Sequence, residues 1–479
     1  MAKLIGRERE MAELRRCVES DRSEFVIVYG RRRVGKTFLV DQFFQYQYDF
    51  TFVGGHRLSK EKQLRNFSKA LKKYAHLTLQ PKLKDWDEAF DALEEYMETL
   101  PDDKRKIIFI DEMPWIDTPK SEFVDALENF WISWASRRND IVFIASGSAT
   151  SWMMDKLVEN QGGLHARTTS GIYVRPFTLK ETEQYIQSRG MNMDRYQILQ
   201  TYMTMGGVPY YLSLLDTHQS LVQNLDRLFY AKNAVLRAEF DELYNALFTH
   251  AEKYTRVVQL LYNSREGLTR EQLISVTGMD GKTMKSVLKN LERCDFITSF
   301  SQFGNSTRGT IYRLVDFYTL FYYRFVDGNN SHDEQWWSHN YDSPGIESWQ
   351  GTSFELICLT HIAEIKQALG ISGITANASS WRYSPSEAEK EQGMKGAQID
   401  LVLDRGDRTI NLCEMKFSTS PYRITDNYEK RLRERMETFR TRTRTTKTLQ
   451  HTFVTTFGVA NGIHSSIVNS ELTMNDLFR

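Results

Sequence analysis

The sequence predicts a multidomain α/β protein on three observations. A short apolar run, residues 24–29 (EFVIVY), leads into GRRRVGKT and a helical stretch. A second apolar run, residues 106–110 (KIIFI), ends in two acids, and residues 350–457 alternate helical and strand-like segments around QIDLVLD and TINLCEMKF. Unbroken apolar runs of this length are what strands covered on both faces of a parallel sheet look like. At 479 residues the chain is too long for one core and is expected to hold about three domains, at 1–200, 201–330 and 345–479.

Strand, glycine-bearing loop and helix are the context a P-loop requires. Gly30 and Gly35 let the backbone wrap a phosphate chain, with Arg31, Arg32, Arg33 and Val34 completing the loop. Lys36 then reaches the β and γ phosphates of ATP, and Thr37 offers its hydroxyl to Mg²⁺. In the run that ends at Ile110, Asp111 is placed to hold the same Mg²⁺ and Glu112 to orient or deprotonate the attacking water. A third run, residues 141–145, ends in Ser146, Gly147 and Ser148, where a hydroxyl can sense the γ phosphate; Ser and Gly are also what any strand-to-loop passage contains.

Near the other end, residues 399–403 and 410–417 read as strands joined by the polar turn 404–408. Pairing about the middle of that turn sets Asp400 opposite Cys413, one residue from Glu414, so a bulge or a diagonal contact is needed to bring the two acids together. Lys416 shares the face of Glu414, because residues two apart on a strand point the same way. Two hard oxygen ligands for Mg²⁺ or Mn²⁺ with an adjacent ammonium fit phosphodiester hydrolysis. The same three residues also fit the solvated face of an ordinary hairpin.

Two family resemblances follow from these residues. The order of a helix at 350–369, a strand at 374–381, the hairpin, a helix at 424–440 and a strand at 451–457 resembles the αβββαβ core of the PD-(D/E)xK, restriction-endonuclease-like superfamily. That resemblance implies Asp400 and Glu414 as metal ligands, Lys416 as the catalytic lysine and Glu355, within GTSFE, as an accessory acid; Ile399 stands where the name-giving proline would be. IGRERE, GRRRVGKT, IIFIDE, ASGSATSWM, GGLHAR and GGVPYYL together resemble the archaeal-type ATPases of the STAND branch of P-loop NTPases. This second resemblance implies an AAA-like doubly wound sheet, a helical lid with a winged helix, Ile5 and Gly6 bordering the adenine, and Arg167 as an arginine finger or sensor. Arg167 fits equally well as a surface residue before a strand at 168–174, and a finger acting in trans would require a homo-oligomer.

Residues 268–314 have the form of a winged helix, whose second helix carries Lys282, Lys285 and Lys289 at face-sharing spacing. Those lysines suit DNA phosphates or simply form the helix's solvated side. Residues 424–447 are rich in cations, and the tail TRTRTTK has no acids of its own, which favours phosphate contact.

Global properties bound these readings. Lys plus Arg equals Asp plus Glu, 62 against 62, so any DNA contact is local rather than the product of a basic field. Cys17, Cys294, Cys358 and Cys413 lie far apart, which suits a reducing cytoplasm and neither a zinc site nor a disulfide framework. No run approaches a membrane span. The expected activity is ATP hydrolysis that regulates a Mg²⁺-dependent nuclease acting on DNA. The alternative is an ATPase switch whose last domain binds nucleic acid or a partner without cleaving.

Overall fold

The computed structural model describes residues 4–102, 104–148, 150–159, 167–248, 250–304 and 310–479. The chain divides into two compact units, Met1–Pro176 with Leu243–Ala251, and Phe177–Glu242 with Glu252–Arg479. Among the described residues, no helix is long and apolar enough to cross a membrane.

The first unit is built on a parallel five-stranded sheet. Its strands are β1 (Glu24–Tyr29), β2 (Phe50–Val53), β3 (Lys106–Asp111), β4 (Ile141–Gly147) and β5 (Ser170–Tyr173), in the order β2-β3-β4-β1-β5. Alternate residues feed two separate cores. Phe25, Ile27, Ile108, Ile110 and Phe143 pack on one side, against helices that contribute Phe67, Trp86, Phe90 and Phe130. Val26, Val28, Phe109, Val142 and Ile144 pack on the other, against Leu14, Leu39 and Val40. Burial on both faces is why these strands read as continuous apolar runs. The pairs Tyr29↔Gly147 and Ile110↔Ala145 bring the ends of β1, β3 and β4 level, so the loops that follow them share one edge of the sheet.

The second unit begins with the helices Leu179–Ser188 and Arg195–Met205, each entered through a reciprocal capping box, Thr178 with Glu181 and Asp194 with Gln197. A small antiparallel sheet follows, β6 (Leu268–Thr269), β7 (Ile297–Phe300) and β8 (Ile311–Leu314), in the order β6-β8-β7. Between β6 and β7 lie the helices Arg270–Thr277 and Gly281–Arg293, separated by Gly278 at φ 71° and started again by Asp280, which caps Lys282 and Thr283. Met284, Val287, Leu288 and Leu291 are buried, whereas Lys282, Lys285 and Lys289 are exposed. Within the expected winged helix at 268–314, residues 305–309 lie outside the described residues.

A five-stranded mixed sheet completes the unit: β9 (Ala376–Tyr383), β10 (Ala397–Arg405), β11 (Thr409–Lys416), β12 (Thr448–Thr455) and β13 (Ser470–Thr473), in the order β13-β12-β11-β10-β9. β9, β10 and β11 run antiparallel, and β11, β12 and β13 run parallel. The Asp426–Thr443 helix covers one face, with Phe439 in a cluster with Trp381, Val402, Ile410 and Leu412, and Tyr428 and Leu432 against Phe453. The small sheet is joined to this larger one: Phe303 N donates to Ser380 O at 2.8 Å, and its ring lies 5.0 Å from that of Phe439.

The helix expected at 350–369 is two helices, Pro344–Thr360 and Ile362–Ala368, parted at His361. His361 is 2 % exposed. Its Nδ1 lies 2.9 Å from Ile357 O, and its Nε2 accepts from Leu179 N at 3.2 Å, which fixes a neutral tautomer protonated at Nδ1.

Candidate functional site

At the shared edge of the first sheet the loop after β1 closes on itself. Gly30 has φ 147°, and a Cβ there would lie 2.2 Å from Val174 O, so no other residue fits. Gly35, at φ 86°, turns the chain into the Lys36–Phe44 helix, whose first N–H groups face the loop. Lys36 is buried, and its ammonium donates to Gly30 O and Arg31 O, both at 3.0 Å, and to Ser148 Oγ at 3.1 Å. Phosphate oxygens can take over from these carbonyls as acceptors.

Asp111, at the end of β3, accepts from Thr37 Oγ1 at 2.7 Å and from the Ser146 hydroxyl. A hydroxyl and a carboxylate meeting beside a phosphate loop are the oxygen donors Mg²⁺ takes while keeping most of its water, so these residues fit that ion. Glu112 follows in a left-handed conformation, φ 47°, and accepts from Ser148 Oγ at 2.9 Å. Ser148 thus bridges Lys36 and Glu112, a link that the sequence did not reveal. Arg32, Arg33 and Val34 lie in the same loop, and Arg31 is 1 % exposed. Arg167 is exposed on a turn ahead of β5; residues 162–166 of the GGLHAR segment, and Ala149, lie outside the described residues.

The second constellation lies on the mixed sheet. The pairs Leu401↔Cys413 and Asp404↔Ile410, carried one residue further, set Asp400 across from Glu414 rather than Cys413. The offset arises at the turn, which closes on Asp404 and Ile410 with Arg408 at φ 64°. A register shift does occur, but on the other side of β10, between Ile399 and Val402 against β9. Asp400 accepts from Gln398 Nε2 at 2.8 Å.

Glu414 is 7 % exposed, and both its oxygens are engaged. Oε2 accepts from Tyr428 Oη at 2.7 Å, and Oε1 is paired with the Arg435 guanidinium. Lys416 Nζ stands 3.8 Å from Oε2 and 5.4 Å from the centre of the Tyr428 ring. Glu355, on the Pro344–Thr360 helix, has its carboxyl pushed up to about 7 by burial first and the Asp400 charge second, against the pull of Lys416 and Arg313. The four predicted residues therefore share one electrostatic neighbourhood.

Among the described residues no group of three or more His, Cys, Asp or Glu side chains gathers as a metal cage. Mg²⁺ needs only one or two carboxylates, and the all-oxygen pair Asp400 and Glu414 fits it in number and chemistry, in competition with Arg435 for Glu414.

Tyr428 and Arg435 were not legible as site residues; Arg435, grouped by sequence with outward phosphate-contacting cations, turns inward instead. Their signal is the helical spacing Tyr428, Leu432, Arg435, Phe439, which puts all four on the sheet side. Two of the tail's three cations find acids from elsewhere in the chain: Arg442 meets Glu389 at 2.8 Å, and Lys447 meets Asp404 at 2.5 Å. That corrects the expectation of an uncompensated basic tail.

Residues 4–215 match the family described as an ATPase domain predominantly from Archaea. The N-terminal part of the chain is a P-loop ATPase domain. An uncharacterised protein of Methanocaldococcus jannaschii is 23 % identical over 421 residues, covering 86 % of this chain and 87 % of its own. Among solved structures, the chain is similar to the Walker-type ATPase of Pyrococcus abyssi, at 16 % identity and a TM-score of 0.48, over 67 % of this chain and 96 % of that one. It is also similar to the ORC2 protein of Aeropyrum pernix, at 14 % identity and a TM-score of 0.42, over 66 % and 91 %. A STAND protein with a tetratricopeptide repeat sensor from Pyrococcus horikoshii matches at 16 % identity and a TM-score of 0.32, over 77 % and 51 %. The ATPase family implies a nucleotide and Mg²⁺.

Proposed function

We propose that this chain is an ATP-hydrolysing protein that regulates a Mg²⁺-dependent nuclease acting on DNA, the nuclease residing in residues 345–479. The observation that carries the reading is the convergence of Asp400, Glu414 and Lys416 on adjacent strands, with the Glu355 carboxyl responding to their charges.

In the ATPase domain, Lys36 binds the β and γ phosphates, Thr37 and Asp111 hold Mg²⁺, and Glu112 orients the water, with Ser148 fixing its carboxylate. Arg167 is assigned the role of arginine finger, which in trans makes the active form a homo-oligomer. In the nuclease, Asp400 and Glu414 hold Mg²⁺ or Mn²⁺, which when bound polarises a phosphodiester and lowers the pKa of an attacking water. Lys416 neutralises charge on the phosphoryl oxygens, and Glu355 accepts a proton nearby. Residues 268–314 act as a winged helix, offering the exposed Lys282, Lys285 and Lys289 to DNA phosphates.

The second reading is a switch protein whose last module binds nucleic acid or a partner without cutting. It is favoured by one specific observation, the engagement of both Glu414 oxygens by Tyr428 and Arg435.

The deciding experiment incubates wild type and Asp400→Ala with plasmid and linear DNA in Mg²⁺ or Mn²⁺, with and without ATP. Cleavage by wild type alone, altered by ATP, is the expected result. Intact DNA under every condition, with ATP still hydrolysed, would replace the nuclease with the switch.

A further inference from the structure

Beside the carboxylate site, and within the same unit, lies a cavity of about 260 Å³ with a chemistry that neither proposed activity uses. Arg265, Arg313 and Arg324 line it, together with Ser353, Tyr262 and Trp349. Among the described residues none of the three guanidinium groups forms an ion pair with a carboxylate. Three cations around one void repel one another unless an anion or water stands between them. The aromatic wall is rigid: Trp349 is 8 % exposed, with its ring 5.2 Å from Phe325, 5.5 Å from Phe321 and 6.0 Å from Trp337. Arginine forks suit a phosphate, and a flat aromatic wall suits a base. The volume sits just below the roughly 300–1,000 Å³ usual for small-ligand pockets, which limits the occupant to about one nucleotide.

We propose that this cavity is a binding site for a nucleoside monophosphate, with the phosphate held by Arg265, Arg313 and Arg324 and the base laid against Trp349 and Tyr262. It is separate from the P-loop. Arg313 also lines an adjoining cavity of about 200 Å³ that reaches Asp400, so one side chain borders both the ligand site and the carboxylate site. A phosphate that engages Arg313 withdraws a positive charge from Glu355. The link to cleavage rests on the nuclease reading; the binding itself does not.

The test titrates the full chain carrying Lys36→Ala, which disables the P-loop, with AMP, GMP, CMP, UMP and inorganic phosphate by calorimetry. At least one mononucleotide is expected to saturate a single site with Kd below about 1 mM. Adding Arg265→Ala with Arg324→Ala, both at exposed positions, is expected to weaken that binding about tenfold or more at an unchanged melting temperature. Arg265→Ala alone is expected to fall between. If no mononucleotide saturates, if phosphate binds as well as every nucleotide, or if the double variant keeps full affinity, the assignment is overturned. A nucleotide that binds in this way while DNA stays intact in the Asp400 assay retains the pocket and removes only its link to cleavage.

Discussion

Arg435 and Glu414 form an ion pair beneath the Asp426–Thr443 helix, the carboxylate 8 % and the guanidinium 23 % exposed. Removing the guanidinium leaves Glu414 largely out of water, with Tyr428 as its hydrogen-bond donor and Lys416 3.8 Å away. Arg435→Ala is therefore expected to cost about 2–4 kcal/mol. It also frees the oxygen that the proposed Mg²⁺ site would use. Thermal melts with and without millimolar Mg²⁺ test this: the variant should melt lower without metal and gain more from Mg²⁺ than wild type does. An equal Mg²⁺ gain in both would remove Glu414 from the proposed metal site.

With the roles proposed for Lys36 and Glu112, the Lys36–Ser148–Glu112 chain is expected to separate binding from hydrolysis. Glu112→Gln keeps the shape and the contact with Ser148 but loses the base, so turnover is expected to fall about 10²–10⁴-fold with ATP affinity nearly unchanged. Ser148→Ala releases Glu112 without touching Asp111 and is expected to lower kcat about tenfold. Steady-state hydrolysis alongside direct ATP binding distinguishes the two effects; a matching loss of affinity in either variant would refute the separation.

What the sequence made legible follows from how local each signal is. The P-loop is spelled by contiguous residues, whereas the partners that Lys36 and Thr37 meet, Ser148 and Asp111, come from other strand ends. The hairpin was legible in its strands but not in its register, because an odd-numbered turn and a left-handed Arg408 shift the pairing by one residue. Helix continuity through 350–369 looked intact because nothing around His361 advertises a break; the break serves a distant partner, Leu179. Strand β13 was not anticipated, its four residues being too short for a periodic signal. The partners of Arg442 and Lys447 were invisible because they approach from remote segments.

Glu355 supplies a pH-dependent test. Its folded carboxyl sits near 7, above the unfolded value of about 4.3, so the folded state holds this proton longer. Its contribution to stability is accordingly lost as pH rises from about 4.3 to 7, at up to about 1.4 kcal/mol per pH unit. Glu355→Gln, which stays neutral, is expected to flatten that part of the profile. Denaturation midpoints of wild type and variant between pH 5 and 8 check it, and superimposable slopes would show that the carboxyl titrates as an exposed acid.

Two buried histidines make opposite predictions. His361 uses both ring nitrogens, whereas His451 on β12 is 2 % exposed and, among the described residues, neither of its ring nitrogens has a hydrogen-bond partner. Both are held below the ordinary histidine range by burial, His451 down to about 4 with Arg435 and Arg433 adding to the effect. The unfolded chain therefore takes up these protons first, so stability is fully present above about pH 6.5 and is lost as pH falls toward the folded values. His361→Leu breaks the bond to Leu179 N and is expected to destabilise by about 1–3 kcal/mol even at neutral pH. His451→Leu removes two unsatisfied polar atoms from an apolar setting, so it is expected to be neutral or stabilising at pH 7.5 and clearly stabilising at pH 5.5. Paired melts at those two pH values decide the matter: a His451→Leu protein less stable than wild type at both would mean that the ring has a partner, such as bound water, that offsets its burial.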